Sequence, residues 1–129
     1  MIVVVAGVLF ISACGGSDSS GNGDSGSTET TAAAAVAGDA AAGLELYDAT
    51  CIACHGVGGI GVDGLGKTFV GSTFIADQTD AELLAFIKVG RDPGDPENTT
   101  GVLMPPKGGN PALSDADLTD VIAYLRSIN

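Results

Sequence analysis

The sequence predicts a small all-α domain that follows a disordered amino-terminal tether. Two segments carry the pattern of a capped helix. Thr79-Asp80-Ala81-Glu82 forms a capping box, and the apolar residues behind it stop at Gly90. Ser114-Asp115-Ala116-Asp117 begins the last helix, in which the apolar residues recur at i, i+3, i+4 and i+7: Leu118, Val121, Ile122 and Leu125. Such a stripe predicts a helix that packs one face against a core.

Two more helices and two loops are predicted nearer the middle of the chain. Asp39 can cap a first helix over residues 40–50, and a short helix is expected near residues 72–76. The glycines of residues 56–66 predict an irregular loop whose backbone can lie close against another group. Two prolines and two glycines in residues 91–101 predict a second loop.

Residues 51–55 read Cys51-Ile52-Ala53-Cys54-His55, and Cys-x-x-Cys-His is the attachment sequence of a c-type haem. Thiols at this spacing lie on the same face of a helical turn. Their sulfurs can therefore add to the two vinyl groups of one porphyrin while His55 binds the iron. A structural zinc site would need four Cys or His ligands, and only Cys14 is left to supply the fourth. A dithiol redox site or a chance match would also account for the five residues.

A haem iron that carries electrons needs a second axial ligand, and the sequence offers few. One of the two methionines is Met1, which leaves Met104 as the sixth ligand. Pro105 biases Met104 towards an extended backbone, and Pro106 stiffens the same segment. The alternatives are a methionine that fills a gap in the core, ligation by a lysine, or an open sixth position.

With these residues the chain resembles the class I cytochromes c, which hold one haem iron between His and Met. The resemblance covers residues 39–129. Gly43, Tyr47 and Tyr124 match positions at which the first and last helices of that family cross beside the haem. The resemblance implies a small class I cytochrome c fold wrapped around one covalent haem c. The haem would complete a core that about ninety residues fill only marginally.

Two further expectations come from the family pattern. Where this chain has Lys67, the family commonly has a Pro whose carbonyl accepts the ring N–H of the proximal His. A carbonyl of any residue can do this, so the substitution affects how rigidly His55 is held and how finely the reduction potential is tuned. In resembling proteins an Arg after the same helix pairs with a haem propionate, which implies that role for Arg91.

Part of the chain is also similar to mono-haem lipoprotein cytochromes of bacterial respiratory complexes, including the alternative complex III group. The similarity lies in Gly66-Lys67, in Asn98-Thr99-Thr100-Gly101 and in Met104-Pro105-Pro106-Lys107-Gly108-Gly109-Asn110-Pro111. It implies a protein that works beside a membrane-bound redox complex.

The amino terminus predicts export and lipidation. Residues 2–11 are an apolar run of about ten residues, shorter than the ~20 of a transmembrane helix and typical of a signal-peptide core. Ile11-Ser12-Ala13-Cys14 resembles a bacterial lipoprotein box, in which Cys14 would be lipidated. An ordinary signal peptide with an incidental Cys is the alternative.

These observations predict three regions. Residues 1–13 form a signal peptide, residues 14–38 a lipidated Cys followed by a flexible linker, and residues 39–129 the haem domain. The expected location is extracytoplasmic, on the periplasmic side, with a lipid anchor in the bacterial cell membrane.

The formal net charge of −11 excludes nucleic acid as a partner and leaves membrane anchoring to the lipid. Four cations fall in segments that approach the haem in the resembling family: Lys67, Lys88, Arg91 and Lys107. They predict a positive docking patch on an acidic body. Scattered, solvated charges are the alternative.

The expected function is one-electron transfer in a bacterial respiratory or photosynthetic chain, without enzymatic activity. Because Met ligation raises the haem potential, the expected partners are a quinol-oxidising complex as donor and a terminal oxidase or another cytochrome as acceptor. One alternative is a haem-based sensor or a peroxidase-like enzyme with an open sixth position. The second is a fixed electron-transfer subunit of a larger complex.

Overall fold

The structure is a computed structural model that describes residues 37–129. Over these residues the chain forms five α-helices: α1 (Ala40–Thr50), α2 (Ile52–His55), α3 (Thr73–Asp77), α4 (Asp80–Val89) and α5 (Asp115–Ile128). Short 3₁₀ segments, Val57–Gly59 and Pro106–Gly109, lie in the connecting loops. Within the described range there are isolated β-bridges but no strand, so the predicted all-α class is confirmed.

The amino-terminal predictions fall on a different part of the chain. The signal peptide of residues 1–13, Cys14 and the linker as far as residue 36 lie outside the described residues. Between residues 37 and 129, none of the helices is both long enough and apolar enough to cross a bilayer.

The amino end of α1 is tied to α5. The Asp39 carboxylate accepts hydrogen bonds from the main-chain N–H of Ala41 at 2.8 Å and of Ala42 at 3.2 Å, as an N-cap residue does. The N–H of Asp39 itself donates to the Asp120 carboxylate of α5 at 2.8 Å. The predicted cap is therefore formed, and it also fixes where α1 meets α5.

α1 and α5 cross at Gly43. A Cβ atom placed on Gly43 would lie 2.0 Å from the main-chain oxygen of Asp120, so any side chain there would push the helices apart. Tyr47, one turn later, is fully buried, and its ring centroid lies 5.1 Å from that of Tyr124. These contacts form the helix crossing that the resemblance implies.

The hydrophobic core lies where α4 packs against α5, beside the crossing of α5 with α1. The capping boxes predicted at Thr79 and Ser114 are both present, with Glu82 and Asp117 as their partners. The buried residues of α4 and α5 include Leu83, Ile87, Leu118, Val121, Ile122 and Leu125. The apolar stripe of the last helix therefore packs inwards, as predicted.

Arg126 fastens the turn between α3 and α4 to α5. Its guanidinium donates to the carbonyl oxygens of Ile75 and Gln78, and its Nη2 lies 2.9 Å from the Asp80 carboxylate. The Ser72 hydroxyl caps α3, which occupies nearly the residues predicted for it. The short helix is thus held at both of its ends.

We expect Gly43→Ala to destabilise the haem-loaded protein by about 1–3 kcal/mol, the usual cost of overpacking. Helix propensity alone would favour Ala by about 1 kcal/mol, so the sign of the change decides between the two effects. Denaturant unfolding followed by circular dichroism measures it. Glu45→Ala, at an exposed position of α1, is the control and should change stability by less than about 0.5 kcal/mol. Unchanged or higher stability of Gly43→Ala would contradict the close crossing.

Candidate haem site

A cavity of about 700 Å³, lined mainly by apolar groups, opens between the helices. Its size is that of an ordinary cofactor pocket. Cys51, Cys54 and His55 line it from the end of α1 and from α2, and Met104 and Arg91 line it from the segments after α4. The structure therefore brings together every predicted site residue that falls within the described range.

The two cysteines and His55 share one continuous helical turn. The N–H of Cys51 donates to the Tyr47 carbonyl at 2.7 Å, and the N–H of His55 donates to the Cys51 carbonyl at 3.0 Å. The turn ends at Gly56, where φ is 74°. The Tyr47 hydroxyl donates to the Gly56 carbonyl at 2.6 Å, which ties the end of the turn back to α1.

Cys51 and Cys54 are free thiols, each half-buried at the cavity wall. Burial, together with the neighbouring Cys54, raises the pKa of Cys51 to about 11, so that this group is uncharged at neutral pH. Attachment of the haem would convert this thiol into a thioether, which has no ionisable proton. The apolar wall would therefore carry no charge at Cys51 either before or after attachment.

His55 is held in the tautomer that an iron ligand needs. Its Nδ1 lies 2.9 Å from the main-chain oxygen of Lys67. Because a carbonyl only accepts, Nδ1 must carry the proton, and Nε2 keeps its lone pair. Burial lowers the pKa of His55 more than the Lys67 carbonyl raises it, so the neutral form is favoured. Lys67, where the family commonly has Pro, supplies the expected carbonyl.

Phe69 is a site residue to which no sequence motif assigned a role. Its ring stacks on the His55 imidazole, with centroids 4.2 Å apart and planes 26° apart. Its edge also meets Tyr47, at a centroid distance of 6.2 Å. The only feature of the sequence that could have predicted this role is the position of the aromatic residue, two residues after Lys67. The imidazole is therefore held by a hydrogen bond at its rim and by a ring on its face.

Met104 belongs to the ligand strap, which we define as residues 101–106. Met104 and Arg91 pair as a β-bridge. The main-chain nitrogen of Arg91 lies 2.9 Å from the Met104 oxygen, and the nitrogen of Met104 lies 3.0 Å from the Arg91 oxygen. The bridge fits the extended backbone that Pro105 predicts for Met104. The Met104 side chain is partly buried, packs against the hydrophobic core and lines the cavity.

The Arg91 guanidinium is already engaged within the protein. It lies 4.8 Å from the ring centroid of Phe86 and 5.1 Å from that of Phe74. Its Nη2 donates to the Glu97 carboxylate at 3.0 Å. Its Nε is buried and has no hydrogen-bond partner among residues 37–129, since the Asp95 carboxylate lies 3.9 Å away.

These groups fit a covalent haem c. Two thiols on one turn match the two vinyl groups, and His55 offers a nitrogen lone pair to the iron. A methionine thioether is a second axial ligand found in this haem type, and Met104 offers one. The unpaired Nε of Arg91 is a buried donor that a haem carboxylate could satisfy.

The cations do not all surround the cavity. Lys67 and Lys107 line it along with Arg91, but Lys88 does not, and its ammonium pairs with Asp115 at 2.8 Å. The Lys107 Nζ donates to the Leu113 carbonyl at 2.5 Å. The expected positive patch therefore loses Lys88, and three of its four members are engaged with groups of the protein itself.

Comparison with known proteins gives related sequences of one kind. The sequence model of the family described as "Cytochrome c" matches residues 40–129. Cytochrome c-555 of Chlorobaculum thiosulfatiphilum is 37% identical over 87 residues, which cover 67% of this chain and 93% of the relative. Cytochrome c-555 of Chlorobaculum tepidum is 34% identical over 87 residues, 67% of this chain and 74% of the relative. No solved structure matches the chain significantly.

We expect Phe69→Leu to leave the haem attached but to loosen the imidazole, because the leucine side chain cannot stack. Stability should fall by about 0.5–1.5 kcal/mol, and the His55 resonances of the ferric protein should shift or broaden in proton NMR. Ile122→Val is the control, since Ile122 is buried in the core but does not line the cavity. It should lower stability similarly without altering the His55 resonances. Equal spectra for wild type and Phe69→Leu would show that the stack does not hold the ligand.

Proposed function

The chain belongs to the cytochrome c family as a class I mono-haem member with covalently bound haem c, and we propose that it transfers single electrons with His55 and Met104 as the axial ligands of the haem iron. The single observation that carries the proposal is that both side chains line the cavity whose wall holds Cys51 and Cys54. When bound, the haem supplies an iron that takes up one electron and gives it back.

The protein groups have separate tasks in this proposal. Cys51 and Cys54 would hold the haem through thioethers. The Lys67 carbonyl holds the proton of His55 at Nδ1, which leaves the Nε2 lone pair free and would make it a more basic ligand for the iron. Arg91 would neutralise a haem propionate through its buried Nε.

Ligation by Met104 favours a carrier over an enzyme or a sensor. Protein groups would occupy both axial positions, so that oxygen, peroxide or a signalling gas finds no open coordination site. The mainly apolar wall of the cavity would limit the water around the haem and raise its potential, in the same direction as the thioether.

The proposed setting is the periplasmic side of a bacterial membrane, in a respiratory or photosynthetic chain. The support is in the sequence: the apolar residues 2–11 and the lipoprotein-like Ile11-Ser12-Ala13-Cys14. Redox proteins are the partners of this family. For this chain we propose a quinol-oxidising complex as donor and a terminal oxidase or another cytochrome as acceptor.

We expect Met104→Ala to keep the haem covalently attached and to open the sixth position. The Met–iron charge-transfer band of the ferric protein should vanish, carbon monoxide should bind the ferrous form, and the potential should fall by on the order of 0.1 V or more. Absorption spectra and potentiometric titration measure these changes. An unchanged band and potential would assign Met104 to the core.

Variants of the attachment turn are the controls for this experiment. Cys51→Ala and Cys54→Ala should each weaken covalent attachment, and the double variant should abolish haem staining in a denaturing gel. Staining of Met104→Ala should equal that of wild type. Full staining of the double cysteine variant would refute the attachment site.

The lipid anchor is tested separately. We expect Cys14→Ser to release the protein from membranes, or to stall its processing, without changing the haem absorption spectrum. Fractionation followed by haem staining reads this out. Ser12→Ala, a change to another small residue, is the matched control and should leave the protein on the membrane. Retention of Cys14→Ser after a salt wash would mean that a protein partner holds it.

A further inference from the structure

The backbone of the ligand strap comes very close to the end of α4 at Gly90. Gly90 is buried, and it ends α4 with φ 76° and ψ −162°. A Cβ atom on Gly90 would lie 2.1 Å from the main-chain oxygen of Met104, 2.8 Å from the carbonyl carbon of Pro105 and 3.0 Å from the nitrogen of Pro106. All three atoms belong to backbone, which cannot rotate away as a side-chain end could.

The next residue fixes the same segment by hydrogen bonds. The N–H of Arg91 donates to the Met104 carbonyl at 2.9 Å, and the N–H of Met104 donates to the Arg91 carbonyl at 3.0 Å. The oxygen that a Cβ on Gly90 would strike is therefore the acceptor of the first of these bonds. Contact and hydrogen bonding together set the position of the Met104 backbone.

α4 is a firm support for the strap. Its amino end has a complete capping box, and Leu83 and Ile87 are buried in the core. At its carboxyl end the N–H of Gly90 donates to the Phe86 carbonyl at 2.8 Å. The Arg91 side chain, held by Glu97, lies against the ring of Phe86. The end of α4 therefore has little freedom to retreat from the strap.

We propose that Gly90 is a positioning residue for the sixth ligand: its missing side chain lets the Met104 backbone approach α4 closely enough to place the thioether at the iron. The inference rests on the proposed ligation by Met104. With a Cβ present, the strap would have to move by roughly 1 Å, whereas bonds in metal sites tolerate only about 0.2 Å. No group outside the haem and this chain takes part.

A second glycine provides a control for the positive φ. Gly101 lies at the start of the same strap and has φ 69°, close to that of Gly90. A Cβ on Gly101 would meet nothing within 4 Å. Alanine at either position has an unfavourable positive φ, and at position 90 the ψ of −162° adds strain of its own. Only alanine at position 90 also pushes on the Met104 backbone.

The experiment compares Gly90→Ala and Gly101→Ala in the full-length, haem-loaded protein. We expect Gly90→Ala to lose most of the Met–iron charge-transfer band and to lower the potential towards that of Met104→Ala, with haem staining unchanged. Gly101→Ala should keep the wild-type band and potential. In a Met104→Ala background, Gly90→Ala should change the potential no further, because the two changes act through one bond.

Three results would overturn the proposal. A normal band and potential in Gly90→Ala would mean that the flexible methionine side chain makes up the displacement. An equal loss in Gly101→Ala would trace the effect to backbone strain. A wild-type protein without the band would refute Met104 as ligand, and with it the proposed function, which the first two results leave intact.

A measurement on the wild type keeps the proposal testable if Gly90→Ala does not fold. We expect hydrogen exchange at the amides of Arg91 and Met104 to be as slow as within α4, because the two residues bond to each other there. Exchange of both amides as fast as at Gly101 would show that the strap is not held at the end of α4.

Discussion

The crossing of α1 and α5 at Gly43 is the contact on which the haem site depends. α1 continues through Cys51 into the attachment turn, so the angle at which α1 meets α5 also sets the direction of that turn. Tyr47 fills the crossing with its ring and holds the end of the turn with its hydroxyl. Burial raises the pKa of Tyr47 to about 12, so this hydroxyl remains a donor at neutral pH.

The two sides of the site are built by different means. The attachment side is local, because Cys51, Cys54 and His55 lie within one turn whose hydrogen bonds are those of a helix. The Met104 side is assembled across the loop of residues 92–103, through main-chain contacts of Met104 with Gly90 and Arg91. Contacts across a longer loop form at a greater cost in chain entropy, so the fold presents His55 and Met104 to the cavity with different security.

Much of the fold and part of the site could be predicted from patterns that are complete within a few residues. The capping boxes, the stripe of α5 and the Cys-x-x-Cys-His turn are of this kind. Three features escaped prediction: the stack of Phe69 on His55, the pairing of Arg91 with Glu97, and the contact of Gly90 with the strap. Each depends on where a loop returns in space, and no periodicity encodes that. The prediction that Lys88 belongs to the positive patch was wrong for the same reason: Lys88 pairs with Asp115, the first residue of α5, and the sequence does not show that the two lie close together.

The partner of the His55 imidazole is a main-chain atom, the Lys67 carbonyl, while the Lys67 side chain is exposed at the rim of the cavity. A residue of almost any type can offer the same oxygen. The charge at this rim can therefore vary in evolution without disturbing the tautomer of the ligand. Any recognition of a partner at this rim would use the Lys67 side chain, whereas the backbone holds the tautomer of His55, so the two tasks are separable at one position.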